Sequence, residues 1–183
     1  MIYMTNHSRP FSAILLLITL CVPSVLNAAE VRTGDAASHP KTESITDDLY
    51  LLGGSISSSG IVKGDLITFG GNILINGAVS GDVAAGGGNI TILSDIADDV
   101  RVGGGTIVIQ GAVTGDILAG GGQVTIASSK VGGDATIGAG MVQIDAPIAG
   151  DLTIAGGDIR INSVVTGNVE IQGESIVLGP NAR

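Results

Sequence analysis

The sequence has no tryptophan, only two tyrosines and two phenylalanines, and a single cysteine among 183 residues. Because one thiol cannot form an internal disulfide, packing has to stabilise the fold. So few aromatic side chains argue against a site that stacks bases or sugar rings. Basic residues are also scarce, since eight lysines and arginines face seventeen aspartates and glutamates, a net charge of −9. Such an acidic chain repels phosphate backbones, which excludes nucleic acid as the expected partner.

Glycine and aliphatic residues dominate the rest of the composition. The chain has 30 glycines, and 44% of its residues are hydrophobic. The glycines follow no three-residue period, unlike those of collagen, and the aliphatic content is too high for a disordered tail. The composition therefore indicates a core that is packed without aromatic side chains.

The first 29 residues differ from the rest and predict an export signal. A short polar start precedes the apolar run FSAILLLITLCV, and the small residues NAAE follow it. This run is shorter than the ~20 residues that a membrane-spanning helix needs, so we expect cleavage after Ala28 or Ala29. An uncleaved anchor in the inner membrane is the alternative. Cys21 ends the run, but Leu20 before it argues against a lipoprotein signal.

A seventeen-residue repeat covers residues 47–183, after a segment at 30–46 that is predicted to be a polar linker. Only one spacing has eighteen residues, and Lys130 is the predicted bulge there. Apolar residues occupy positions 3, 5, 10, 12 and 16 of the copies, with Thr68 and Ser58 as exceptions, an alternation typical of strands with one buried face. Glycine runs and β-branched columns exclude a helix. The copies begin at Asp47, Gly64, Gly81, Asp98, Gly115, Gly133, Gly150 and Gly167.

These features predict an all-β fold, a single-stranded parallel β-solenoid of about eight coils. Each strand is expected to pair with the equivalent strand of the next coil, so that stability comes from stacking neighbouring repeats. The tenth and twelfth columns are nearly pure in β-branched residues and predict the centre of the core. These core residues are Ile73, Ile75, Ile90, Ile92, Ile107, Ile109, Val124, Ile126, Val142, Ile144, Ile159 and Ile161.

The recurring glycines and aspartates invite a chemical interpretation, but a structural one fits better. The glycine runs lack the lysine and the following helix of a phosphate-binding loop. We expect them at corners, where positive φ angles favour glycine. The aspartates lack the GGxGxD pattern of calcium-binding repeats and are expected to accept backbone N–H bonds in turns. A loosely bound cation is the weaker alternative, with Asp65, Asp82, Asp99, Asp116, Asp134 and Asp151 as its candidate ligands.

Candidate catalytic residues are missing from the repeats. Both histidines precede residue 47, which leaves no histidine there for acid–base catalysis or for binding zinc. We expect no enzymatic activity, no catalytic residue, no cofactor and no specific metal site.

The junction between copies resembles that of the bactofilins and related bacterial polymer-forming proteins. It has the form GxVxGD, as in GAVSGD at 77–82 and GAVTGD at 111–116, with APIAGD at 146–151 as a variant. The resemblance covers residues 47–183 and includes the closing IVLGPNAR. It implies a right-handed, triangular β-helix that joins end to end into nonpolar filaments at membranes, without nucleotide. Bactofilins act on the cytoplasmic face, whereas this chain carries a predicted export signal.

The sequence thus predicts a non-enzymatic structural protein that self-assembles, as an end-to-end polymer or a scaffold, at the bacterial cell envelope. We expect it in the periplasm or at the cell surface, associated with other copies of itself and with the membrane or cell wall. A monomeric surface binding module or adhesin is the alternative, and a β-helix enzyme acting on polysaccharide is a remote one. The chain ends without a recognisable cap, so inward aliphatic residues of the end coils are the expected assembly surfaces. These are Leu49, Leu51 and Ile56 at one end, and Val169, Ile171, Ile176 and Leu178 at the other.

Overall fold

The computed structural model describes residues 29–183 and shows an all-β solenoid of stacked coils; the predicted export signal lies outside the described residues, except for Ala29. Nine strands of ten residues lie parallel in one sheet, in the order of the chain, and two short strands pair separately. The described residues form no helix. The strands are β1 Glu30–His39, β2 Ser44–Ile45, β3 Leu49–Ser58, β4 Ile61–Val62, β5 Leu66–Ile75, β6 Val83–Ile92, β7 Val100–Ile109, β8 Ile117–Ile126, β9 Ala135–Ile144, β10 Leu152–Ile161 and β11 Val169–Leu178.

Each ten-residue strand turns a corner at its glycines. In β3 and in β5 to β10, the first, third, eighth and tenth side chains are buried. A straight strand would bury positions of one parity only, so the change from odd to even places a bend between the third and eighth residues. The sixth residue, such as Gly54 or Gly71, has no partner in the ladder. One strand therefore forms two sides of a coil, and single bridges such as Val62 to Val79 form the third.

The register of the sheet confirms the seventeen-residue repeat. Leu49 pairs with Leu66, and the same offset holds from β3 to β11 except between β8 and β9, where it is eighteen. Between β1 and β3 the offset is nineteen, since Glu30 pairs with Leu49. The additional residue lies between Ile126 and Val131, because both of these remain paired with their equivalents. The predicted bulge at Lys130 falls within this interval.

The core is a continuous stack of aliphatic side chains inside the coils. All twelve side chains predicted from the tenth and twelfth columns are at most 3% exposed. The third, fifth and sixteenth columns add further buried layers, as at Leu66, Ile137 and Ile96. Since each side chain lies over its equivalents in the neighbouring coils, the core belongs to the stack and not to any single coil.

Residues 30–46 form an additional coil, so the prediction of a polar linker was wrong. β1 pairs in parallel with β3, with Glu30 opposite Leu49, and β2 pairs with β4. The inward positions of β1 hold Glu30, Arg32, Ala37 and His39, so three of the four lack the apolar residue that reveals the other coils. The solenoid therefore has nine coils. We call residues 30–46 coil 1, residues 47–63 coil 2 and residues 167–183 coil 9.

The additional coil also corrects the predicted N-terminal assembly surface. Leu49, Leu51 and Ile56 were expected at an exposed end, but they are at most 3% exposed. Coil 1 lies over them, because β1 occupies the edge of β3 that would otherwise be open.

Replacing Ile109 with aspartate should destabilise the whole rod. Ile109 is fully buried in the middle of the stack, and an unpaired charge there costs roughly 3–5 kcal/mol, which lowers the Tm by roughly 6–20 °C. Thermal unfolding followed by circular dichroism measures the effect. Gln110→Asp is the matched control, since Gln110 is the next residue and is exposed. Equal Tm values for the two variants would contradict the assignment of this column to the core.

Candidate assembly site

The aspartate column is a ladder of hydrogen bonds between coils. The Oδ1 atom of each aspartate accepts a bond from the backbone N–H of the equivalent residue in the next coil, as from Asp134 to Asp116 at 2.8 Å. The other bonds of the ladder measure 2.7–3.1 Å and continue to Asn168 in coil 9. The acceptor role that the sequence suggested is therefore present, but it joins successive coils and does not close a turn within one coil.

The glycine before most of these aspartates is explained by the same ladder. A Cβ atom at Gly150 would overlap Oδ1 of Asp134, and Gly133 stands in the same relation to Asp116. Positive φ, the reason expected from the sequence, is not the cause: among the described residues only Gly34 has it. The glycines are needed because one coil approaches the next so closely.

One segment of the column brings three carboxylates together. Oxygens of Asp82, Asp98 and Asp99 lie within 4.8 Å of one another. Arg101 donates to Oδ2 of Asp82 at 2.6 Å and to Oδ2 of Asp99 at 2.7 Å. The hydrogen bond to Asp82 is the main reason that the pKa of Arg101 lies above its ordinary value. The single charge of the guanidinium is thus shared between two of the three carboxylates, and binding of a metal cation along the column stays a prediction.

Coil 9 exposes the inward columns that every central coil buries. Val169 is 50% exposed, Ile176 47% and Leu178 64%, whereas their equivalents in the coil before are at most 3% exposed. Val169 and Leu178, together with Ile171 and Val165, line an apolar hollow of about 220 Å³. Within the described chain, β11 has only β10 as a neighbour, so one edge of its backbone is also unpaired. The C-terminal part of the predicted assembly surface is therefore accessible.

Coil 1 closes the opposite end with polar groups. Arg32 takes the place that aliphatic residues hold in most other coils, and its guanidinium donates to Glu30 at 2.7 Å and to Glu43 at 2.6 Å. It also donates to the backbone carbonyl of Ser38 at 2.8 Å. Both carboxylates, Glu43 first, hold the pKa of Arg32 above its ordinary value, and Arg32 lowers the pKa of Glu43. The two ends of the solenoid thus differ, one covered by charged side chains and the other apolar.

A buried histidine completes the polar end. His39 is 1% exposed, and its Nδ1 lies 3.2 Å from the hydroxyl of Ser58 in coil 2. Its Nε2 has no hydrogen-bond partner among the described residues. Burial lowers the pKa of His39, and the opposing effect of Glu43 does not outweigh it. The imidazole is therefore held in its neutral form.

The residues of coil 1 were missed because no repeat pattern marks them. One signal was present in the sequence: Ser58 is the only polar residue in the otherwise aliphatic twelfth column. A buried hydroxyl needs a polar neighbour, and in a stacked solenoid that neighbour lies in the adjacent coil.

Comparison of the chain with protein-family models, with curated proteins and with solved structures gives no match. Within residues 29–183, no helix is long and apolar enough to cross a membrane. The function is therefore argued from the geometry of the ends and of the ladder.

Removing one carboxylate of the ladder should weaken coil stacking. Asp116→Ala leaves the N–H of Asp134 without its acceptor, and we expect a loss of about 1 kcal/mol, or about 2–4 °C in Tm. Asp116→Asn retains an oxygen acceptor and should cost less. Asp145→Ala is the control, because Asp145 is exposed and accepts only from Gln143 in its own coil. A loss for Asp145→Ala as large as that for Asp116→Ala would refute the ladder.

The stability of coil 1 should depend on pH through His39. Because the folded state lowers the pKa of His39, its contribution is complete above the unfolded pKa of about 6.5 and decreases as the pH falls below that value. Glu43, Arg32 and Glu30 are the charged groups that act on the ring. Between pH 8 and 5.5, backbone NMR signals of β1 should broaden while those of β7 persist. His39→Leu should abolish the change, and a variant that still showed it would disprove the role of the imidazole.

Proposed function

We propose that the protein is a non-enzymatic structural rod that associates with other copies of itself through coil 9. The observation that carries this proposal is the exposure of the inward columns at that end. Between internal coils, the described chain buries the same inward columns. Coil 9 therefore exposes the kind of surface through which each internal coil packs on the next.

The chemistry of coil 9 matches a second copy of the chain. Its exposed side chains are aliphatic, and the unpaired edge of β11 offers backbone donors and acceptors for another strand. The hydroxyl of Ser163, which lines the hollow, has no hydrogen-bond partner in the described chain. A partner coil would cover the aliphatic side chains and pair the strand edge at once.

The cell envelope is the proposed location of this rod. The predicted export signal places the mature chain outside the cytoplasm, and the resemblance of the repeat junctions to bactofilins suggests a scaffold. An acidic rod of stacked coils, whose single cysteine cannot form an internal disulfide, suits a structural element in that compartment.

The distribution of side chains disfavours catalysis and supports a structural role. The one cluster of three carboxylates in the described chain is bonded to Arg101 and lies along the hydrogen-bond ladder. A monomeric binding module or adhesin remains the second candidate function. Phe69, 52% exposed, and Tyr50 on the adjacent strand are the aromatic side chains that favour it.

Analytical ultracentrifugation of the purified protein at pH 7.5 tests the proposal. We expect the wild type to sediment as a dimer at micromolar concentration and Ile176→Asp to sediment as a monomer, because the aspartate places a charge in the apolar surface. Val177→Asp is the matched control, since Val177 is equally exposed but occupies an outward position of the same strand. A monomeric wild type would favour the binding module and contradict assembly.

A further inference from the structure

Coil 1 is attached to the solenoid differently from every other coil. Ala29 stands where coils 2 to 8 carry the ladder aspartate, so it offers no side-chain acceptor. The N–H of Asp48 bonds instead to the side chain of its own neighbour, Asp47, at 2.9 Å. The aspartate ladder therefore begins at coil 2, and coil 1 is outside it.

The apolar packing of coil 1 is also poor. Only Ala37 and Ile45 of this coil belong to the buried core, whereas a central coil contributes five aliphatic side chains. Its remaining inward positions hold the Arg32 ion pairs and neutral His39. A terminal unit with few buried apolar contacts opens at a lower free-energy cost than the units inside.

A layer of four buried aliphatic side chains and Ser58 lies beneath coil 1. Leu49, Leu51 and Val62 are fully buried and Ile56 is 3% exposed, all by contact with coils 1 and 3. If coil 1 were displaced, these side chains would present the same columns that coil 9 exposes at the other end of the rod.

We infer that coil 1 is a detachable cap over a second assembly surface, and that the surface takes coil 9 of another copy of the chain. This inference rests on the proposed function, because it uses coil 9 as the associating element. With the cap in place, copies associate only through coil 9 and stop at pairs. With the cap displaced, coil 9 of one copy stacks on coil 2 of the next, and the rod grows.

The parallel register of the internal coils identifies coil 9 as the occupant. In that register Val169, Ile171 and Ile176 would lie over Leu49, Leu51 and Ile56, an aliphatic residue over an aliphatic residue in these three columns. In the twelfth column Leu178 would lie over Ser58. The side-chain oxygen of Asn168 would reach the N–H of Asp48, as each aspartate reaches the next coil inside the chain. Coil 1 matches these contacts only in part, since it has Glu30 and Arg32 over Leu49 and Leu51, the small Ala37 over Ile56, and Ala29 in the ladder position.

The charged network of the cap gives the test. Arg32→Ala removes the ion pairs to Glu30 and Glu43, and Arg101→Ala, which removes an arginine between two carboxylates in the middle of the rod, is the matched control. At pH 7.5 we expect Arg32→Ala to form polymers of at least tenfold the monomer mass in sedimentation and filaments in electron microscopy. The wild type and Arg101→Ala should remain dimers. If Arg32→Ala also remains a dimer, the cap is not the barrier and the inference fails.

A second pair of variants tests the cap without removing the arginine. His39→Lys places a permanent charge at a buried position, whereas His39→Leu restores the aliphatic residue of the column. We expect polymers for the lysine variant and dimers for the leucine variant, with circular dichroism showing that both keep the solenoid. Dimers for both, or polymers for both, would overturn the inference.

Combining changes at the two ends identifies the occupant. Arg32→Ala with Ile176→Asp frees the N-terminal surface and blocks coil 9, so stacking of coil 9 on coil 2 predicts a monomer. Dimers of this double variant would show that two N-terminal surfaces pair with each other, and the proposed occupant would be wrong. A wild type that stays monomeric would instead contradict the proposed function, whatever the cap variants do.

Discussion

The close stacking of equivalent residues, one coil directly on the next, is the constraint on which the rest of this structure depends. Parallel strands in register lie about 4.8 Å apart, so each residue contacts the residues at the same repeat position in the coils above and below it. The residue type at each position therefore has to pack well against the same residue type in the coils above and below it. Aliphatic side chains meet this condition in the core, and the aspartates meet it because the carboxylate of one coil accepts the backbone N–H of the next.

The same constraint explains the glycines more fully than a turn conformation does. At Gly133 and Gly150 the space for a side chain is taken by the aspartate of the preceding coil. Glycine and aspartate thus act together, because the missing side chain of the glycine leaves space for the aspartate carboxylate of the neighbouring coil. The pair Asp98–Asp99 lacks the glycine, and the ladder bond that Asp99 donates is the longest, at 3.1 Å.

The sequence was sufficient for the period, the columns and the buried residues, because these repeat and reinforce one another at each copy. It was insufficient for coil 1, where Glu30, Arg32 and His39 stand in the aliphatic columns and each interaction occurs only once. Ser58 was the single indication that something polar lay above coil 2. The reason for the glycines was also beyond the sequence, since close approach between coils and positive φ favour the same residue.

The difference between the two ends decides what kind of assembly the fold permits. A contact between unlike surfaces can repeat without limit, whereas a contact between two copies of one surface closes after a pair. A solenoid with aliphatic columns at both ends would therefore grow, because every end would be a template for the next coil. In the proposed assembly, the Arg32 network of coil 1 would cover one of the two unlike surfaces without changing the internal stacking. Under the proposed assembly, a few charged side chains in a terminal coil would be enough to separate folding of the rod from its polymerisation, although both would use the same columns.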